Sequence, residues 1–205
     1  MVLQRPDMAP ALEVIQRASF PELAAHELIR AEHFRAHGDV FPEGQLAVID
    51  GAGRPVASST DIRWDIDFEN YEHRYMEASG DNWLHSHRPD GEWLYGIDIA
   101  VHPDWRGKGL SRLLYAARHD LARRLNLKGH VAGGLPVGYG AVKRSLGIGD
   151  YLRKVEAGEI FDPTISVQLR RGYVIEGILG NYVENPACDN KAALIVWRNP
   201  DYRPG

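Results

Sequence analysis

Val101-His102-Pro103-Asp104-Trp105-Arg106-Gly107-Lys108-Gly109-Leu110-Ser111 joins the clearest strand of the chain to its clearest helix. Upstream, Trp93, Tyr95, Ile97, Ile99 and Val101 place bulky residues at every second position. Period two with β-branched and aromatic side chains predicts a strand over 93–101. Its alternate positions hold Leu94, Gly96, Asp98 and Ala100, so the second face is mostly small and carries one carboxylate. Downstream, Leu110, Leu113, Leu114, Ala117, Leu121 and Leu125 recur at helical spacing, with Arg112, Arg118, Asp120, Arg123 and Arg124 off that stripe and Gly129 as a stop.

The turn between them is built to hold an anion. The first N–H groups of a helix lack partners and carry the positive end of its dipole. Gly107 and Gly109 permit positive φ and keep side chains away from a phosphate. Arg106 and Lys108 add charge, or are simply solvated. A Gly-x-x-x-x-Gly-Lys-Ser/Thr loop does not occur, and position 112, where a dinucleotide fingerprint needs its third glycine, is arginine.

Arg106-Gly107-Lys108-Gly109-Leu110-Ser111, following Val101-x-Pro103, resembles the acetyl-CoA signature Arg/Gln-x-x-Gly-x-Gly/Ala of the GNAT acetyltransferases, with serine at its last position. The resemblance implies that amides of Arg106, Gly107, Lys108, Gly109, Leu110 and Ser111 hold the pyrophosphate of coenzyme A. It likewise implies that Ile99, Ala100 and Val101 present backbone to the pantetheine arm and the acetyl carbonyl. Leu94-Tyr95-Gly96-x-Asp98-Ile99, Val131-Ala132-Gly133-Gly134, Gln168-Leu169-Arg170-x-Gly172-Tyr173 and Trp197-Arg198-Asn199-Pro200 are similar to a GNAT branch found alone or joined to carbon–nitrogen hydrolase domains.

Composition bounds the rest. The chain has 205 residues, 44% of them hydrophobic, and a formal charge of −4, which suits one well-buried core and disfavours a nucleic-acid partner. No apolar run approaches membrane-spanning length, and Cys188 is the single cysteine, so a cytoplasmic protein is expected.

Helices are expected over 9–18 and 21–37, the second capped by Ser19, with His33 and His37 sharing a solvated face. Residues 46–50 and 55–64 predict a hairpin around Gly51-Ala52-Gly53. From 65 to 89, acids interleave with aromatics, which reads either as a pocket for a cationic amine or as an irregular insertion with wet acids. A strand over 129–135 implies a parallel pair with the central strand, since strand–helix–strand crossovers are right-handed. Helices over 150–156 and from Asp162-Pro163, then strands over 173–179 and 192–197, complete the chain.

The expected fold is therefore α/β of the α+β kind: a mixed, mostly antiparallel sheet with helices on both faces and one parallel pair. Residues 1–205 form one GNAT-like domain in this reading, with insertions near 65–89 and 136–160. The resemblance implies an acetyl-CoA-dependent N-acetyltransferase that transfers acetyl to an amine of a small molecule or peptide by direct attack. No metal, membrane or nucleic acid takes part, and a homodimer is allowed. The alternative is a non-catalytic acyl-CoA-binding module, or a partner of a carbon–nitrogen hydrolase.

Asp98 is the candidate base or amine-binding group, against a purely structural role bonding a nearby loop. Many GNAT enzymes carry a tyrosine in their last helix that protonates the departing thiolate; here Gln168 stands in its place and cannot titrate. Tyr139 is the candidate donor instead, with Tyr182 and Tyr151 as rivals.

Overall fold

The computed structural model describes residues 1–204. In chain order the elements are β1 (Val2–Leu3), α1 (Ala9–Ser19), α2 (Ala31–Val40), β2 (Gln45–Ile49), β3 (Pro55–Trp64), α3 (Tyr75–Ser79) and β4 (Trp93–Val101), followed by α4 (Leu110–Arg124), β5 (Gly129–Gly134), α5 (Ile148–Glu156), α6 (Ile165–Leu169), β6 (Val174–Leu179) and β7 (Ala192–Arg198). The strands form one sheet in the order β1-β2-β3-β4-β5-β7-β6. Every neighbouring pair is antiparallel except β4 with β5, as the strand–helix–strand pattern predicts.

Side-chain alternation in the inner strands supplies both cores. Val131, Leu194 and Val196 pack with Leu12 and Ile15 of α1, Phe34 of α2 and Ala78 of α3. Ala132, Ala193, Ile195 and Trp197 point the other way, onto Leu121 of α4, Leu152 of α5 and Ile165 of α6. The hairpin of β2 and β3 turns where expected: Asp50 Oδ1 accepts from the N–H groups of Ala52 and Arg54 at 2.9 Å each.

Several local expectations are corrected. Residues 21–30 are turns and extended chain, and the second helix starts only at Ala31. Leu28 and Ile29 are consecutive buried residues, and Glu27 accepts from the N–H of Glu184 at 3.0 Å; a helix would turn these three onto different faces. Ser19 caps nothing and donates to the Val101 carbonyl at 3.2 Å. His33 and His37 are buried, not solvated: His33 packs edge-on against Trp83, and His37 Nε2 donates to the Asn82 carbonyl at 2.7 Å. Helix α4 ends at Arg124 through a left-handed Asn126 (φ 50°), so Gly129 opens β5 instead of closing the helix.

The 65–89 segment follows the plainer reading. Phe68, Tyr71 and Met76 cover the first core. Its acids serve as local ties: Asp65 accepts from the N–H of Glu92, Glu72 from that of Gly180 and Glu77 from that of Arg74. Among the described residues no helix is long and apolar enough to cross a membrane.

Candidate functional site

The central strand does not alternate strictly. Thr60 faces Asp98 and Asp61 faces Gly96, so Ile97 is an extra residue, a β-bulge in β4. Before the bulge Leu94 belongs to the α4 side and Tyr95 to the α1 side; after it Ala100 lies with α1, while Ile99 packs toward α4. The bulge also ends the pairing with β5, which spans only Leu94–Gly96 against His130–Ala132. Beyond Gly96 the two strands part, and β5 continues on β7 alone. The His102 N–H donates to the Val56 carbonyl, and antiparallel alternation then directs the N–H and C=O groups of Ile99 and Val101 away from β3, into the opening. Those of Ala100 face β3.

A cleft of about 1120 Å³ runs from this opening to the glycine turn. The turn is exposed or half-buried, with Gly107 at φ 75° and Gly109 at φ 78°. A Cβ at Gly107 would meet nothing within 4 Å, and one at Gly109 only Arg112 Nη2 at 3.8 Å. Glycine is therefore required here by the positive φ, and the space in front of the backbone is open. Residues 107–112 precede or begin the first turn of α4, where helical geometry leaves N–H groups unpaired. Lys108 Nζ rests over the Trp105 ring at 4.3 Å, and Arg106 Nε reaches back to the Val101 carbonyl at 3.4 Å. The amides, more than these two cations, form the cradle, and its size and polarity fit a diphosphate.

Asp98 lines the cleft where β4 and β5 part. It is 6% exposed, and its pKa is raised to about 7, chiefly by burial, with Arg118 opposing and Asp61 adding to the rise. The side-chain amide of Gln16, in the orientation that satisfies both its ends, donates to the two carboxylate oxygens at 3.2 and 3.3 Å. Beneath it runs a wholly buried polar network that the helical stripe did not reveal. Arg118, only 2% exposed, donates to Ser59 Oγ at 3.0 Å, pairs with Asp61 and reaches the Asp98 carbonyl. His130 Nε2 lies 3.0 Å from Asp61, and the Tyr173 hydroxyl 2.9 Å from His130 Nδ1. Gly96 is glycine because β4 passes directly over this network: a Cβ would come within 2.7 Å of the His130 ring.

Tyr139 is 3% exposed, its ring against Tyr151, and it is not among the residues lining the cleft. The Tyr151 hydroxyl is committed to Asp162 Oδ2 at 2.8 Å. Three other tyrosines do line the cleft, Tyr75, Tyr115 and Tyr182, and the Tyr75 hydroxyl is committed to Asn82 Oδ1 at 2.8 Å. Gln168 Nε2 donates to the Tyr115 oxygen at 3.1 Å, which leaves the phenol proton of Tyr115 free to be given. Tyr115 follows Leu114 of the helical stripe and packs in the second core, and an aromatic beside an apolar stripe is the signal that could have found it.

Comparison with known proteins agrees with this geometry. The model of the Acetyltransferase (GNAT) family matches residues 58–134, from β3 through β5, the stretch that holds the bulge, the glycine turn and α4. It is 34% identical over 191 residues to the probable hydrolase YhcX of Bacillus subtilis (strain 168); the match takes in 93% of this chain and 36% of YhcX, so the chain spans little more than a third of that relative. It is 27% identical to the uncharacterized N-acetyltransferase YkwB of the same organism, over 92% of this chain and 84% of YkwB. Among solved structures, the GNAT-like decarboxylase GphF in complex with isobutyryl-CoA superposes with a TM-score of 0.80 at 20% identity, covering 96% of this chain and 97% of GphF.

Proposed function

We propose that the protein transfers an acetyl group from acetyl-CoA to an amine of a small molecule or peptide by direct attack. The observation that carries the reading is the placement of a buried carboxyl, Asp98, in the same cleft as the open amides of 107–112 and the parted strands. The amides of residues 107–111 would hold the diphosphate, with Arg106 and Lys108 at the rim. The open N–H groups of Ile99 and Val101 would face the pantetheine arm and the carbonyl oxygen, where negative charge develops. An approaching ammonium favours the ionised form of Asp98, which then holds the nucleophile in place. The thiolate needs little help to leave, because a thiol pKa lies near 8.5 in the unperturbed state. Tyr115, its oxygen already receiving Gln168, would supply that proton in the role the sequence suggested for Tyr139.

Decarboxylation, the activity in GphF's name, asks instead for a cation to receive the substrate's carboxylate. Beside Asp98 the guanidinium of Arg118 is committed to Asp61, and the other cations lining the cleft, Arg106, Lys108, Arg112 and Arg171, belong to the glycine turn, to α4 and to the turn after α6. The rival reading is a non-catalytic acyl-CoA module serving a hydrolase, favoured by Gln168 and by the 36% share of YhcX. Thiol release from acetyl-CoA across a panel of primary amines separates the two. Release with at least one amine is expected; tight acetyl-CoA binding with no release for any amine retires the transferase.

A further inference from the structure

Tyr182 stands on the cleft wall with more behind it than packing. Its backbone is fixed at both ends, its N–H donating to the Asn190 carbonyl at 2.7 Å and its carbonyl accepting from Tyr75 at 2.8 Å. Its ring lies so close over Gly133 that a Cβ there would sit 2.3 Å from Tyr182 Cζ. Its hydroxyl is 3.1 Å from the hydroxyl of Tyr95, a buried residue of β4 that does not line the cleft. The Tyr95 hydroxyl in turn is 2.6 Å from His73 Nε2, and His73 Nδ1 is 2.7 Å from the Tyr71 carbonyl.

The direction of every proton in this chain follows from its outer end. A carbonyl only accepts, so His73 carries its proton on Nδ1 and, when neutral, offers a bare Nε2. Tyr95 must commit its one hydroxyl proton to that nitrogen. Its oxygen then accepts from Tyr182, whose own proton is thereby turned inward. Tyr182 thus faces the cleft as an acceptor, although a phenol alone could equally donate.

We propose that Tyr182, Tyr95 and His73 form a proton relay that draws the proton of the incoming ammonium out of the cleft. This rests on the amine-acetylation reading above. In one concerted shift the ammonium N–H bond breaks and its proton bonds to Tyr182 Oη. The proton of Tyr182 passes to Tyr95, and that of Tyr95 to His73 Nε2. The amine leaves neutral and nucleophilic, both tyrosines stay neutral, and the charge ends on an imidazolium. Glu72 and Glu77 are the charged groups beside that imidazole; β3, β4 and the loop after β6 present the rings of Trp64, Tyr95 and Tyr182 to it. Burial holds the His73 pKa below its ordinary value, so at neutral pH the ring is neutral with Nε2 unprotonated, while Glu77 and Glu72 favour the imidazolium that the transfer forms. Tyr182 would be the catalytic residue; Tyr95 and His73 act through it as positioning residues.

Two measurements test this on the intact chain. Long-range ¹H–¹⁵N correlation spectra should show His73 as the Nδ1-protonated tautomer near pH 7.5; the Nε2-protonated tautomer would overturn the relay whatever the enzyme does. Tyr95→Phe keeps the ring and cuts the chain. Its kcat/KM for the best amine should fall on the order of 100-fold at pH 7, with acetyl-CoA affinity unchanged by calorimetry. The deficit should shrink as pH approaches about 10.4, where a lysine-like amine arrives already neutral. A deficit equal at all pH values, or none, would refute the relay and leave the transferase standing. Failure of the native protein to acylate any amine would instead sink the transferase reading, and the relay's role with it.

Discussion

Replacing Asp98 with asparagine distinguishes a carboxylate kept for chemistry from one kept for structure. A structural aspartate is stabilised in its charged form, its pKa falls, and an amide in its place lowers stability at neutral pH. Here the shift goes the other way: burial raises the pKa from 3.8 to about 7. A folded-state pKa above the unfolded one means that the native protein holds this proton more tightly. The resulting stability is complete below pH 3.8 and is lost as pH rises through 7. Between pH 5 and 8 the loss comes to about 3 kcal/mol, taking 1.36 kcal/mol per pKa unit. The substituted amide cannot ionise and keeps both the shape and a partner for Gln16, so the variant escapes that loss. Urea unfolding of both proteins at pH 5, 6, 7 and 8 should therefore show Asp98→Asn gaining on the native chain by about 3 kcal/mol across the range. Other titrating groups cancel in the difference. The same substitution should lower turnover with amines more than it lowers acetyl-CoA affinity. Parallel stability curves would refute the raised pKa; equal turnover at all pH values would make Asp98 scaffolding.

Gly109→Asp should abolish coenzyme A binding in a thermal-shift assay, because it sets a carboxylate against the diphosphate; Gly109→Ala, with no backbone clash, should cost only about 1–2 kcal/mol of stability from its positive φ. Arg118→Met leaves Asp61 charged and buried without its guanidinium, and should destabilise by about 3–5 kcal/mol in urea unfolding at pH 7.5. Gly133→Ala must displace the Tyr182 ring, so kcat should fall while acetyl-CoA affinity by calorimetry holds within about threefold, roughly 0.6 kcal/mol.

Much of the architecture is legible in side-chain periods. Strands β4 through β7 and helices α1, α4 and α5 show in their apolar spacing, and the glycine turn shows in local chemistry: Gly107 and Gly109 in Arg-Gly-Lys-Gly between a strand and a helix describe an anion cradle without tertiary information. What stays hidden depends on partners distant in sequence. Arg118 sits off the apolar stripe of its helix and would be a solvated cation but for Asp61, 57 residues earlier. The buried histidines need Asn82 and Trp83 to explain them. Tyr139 sits in a glycine-rich loop after β5, as a ligand-facing residue would. Its burial is decided by α5, which brings Tyr151 against it, and nothing near residue 139 encodes that.

The bulge at Ile97 is the feature from which the site follows. A regular β4 would keep pairing with β5 past Gly96, close the opening and alternate its side chains cleanly. One extra residue breaks both regularities. It parts the strands, turns the N–H groups of Ile99 and Val101 away from β3, and moves Ala100 to the α1 side with Asp98 turned to Gln16. The network of Arg118, Asp61 and His130 fills the space under this irregular stretch, and Arg118 bonds the carbonyls of Thr60 and Asp98, the cross-strand pair next to the bulge. A buried ion pair is weak evidence for stability by itself. Its bonds to both carbonyls of the pair next to the bulge give it a local effect instead: they tie β4 to β3 at the point where its hydrogen bonding to β5 has ended.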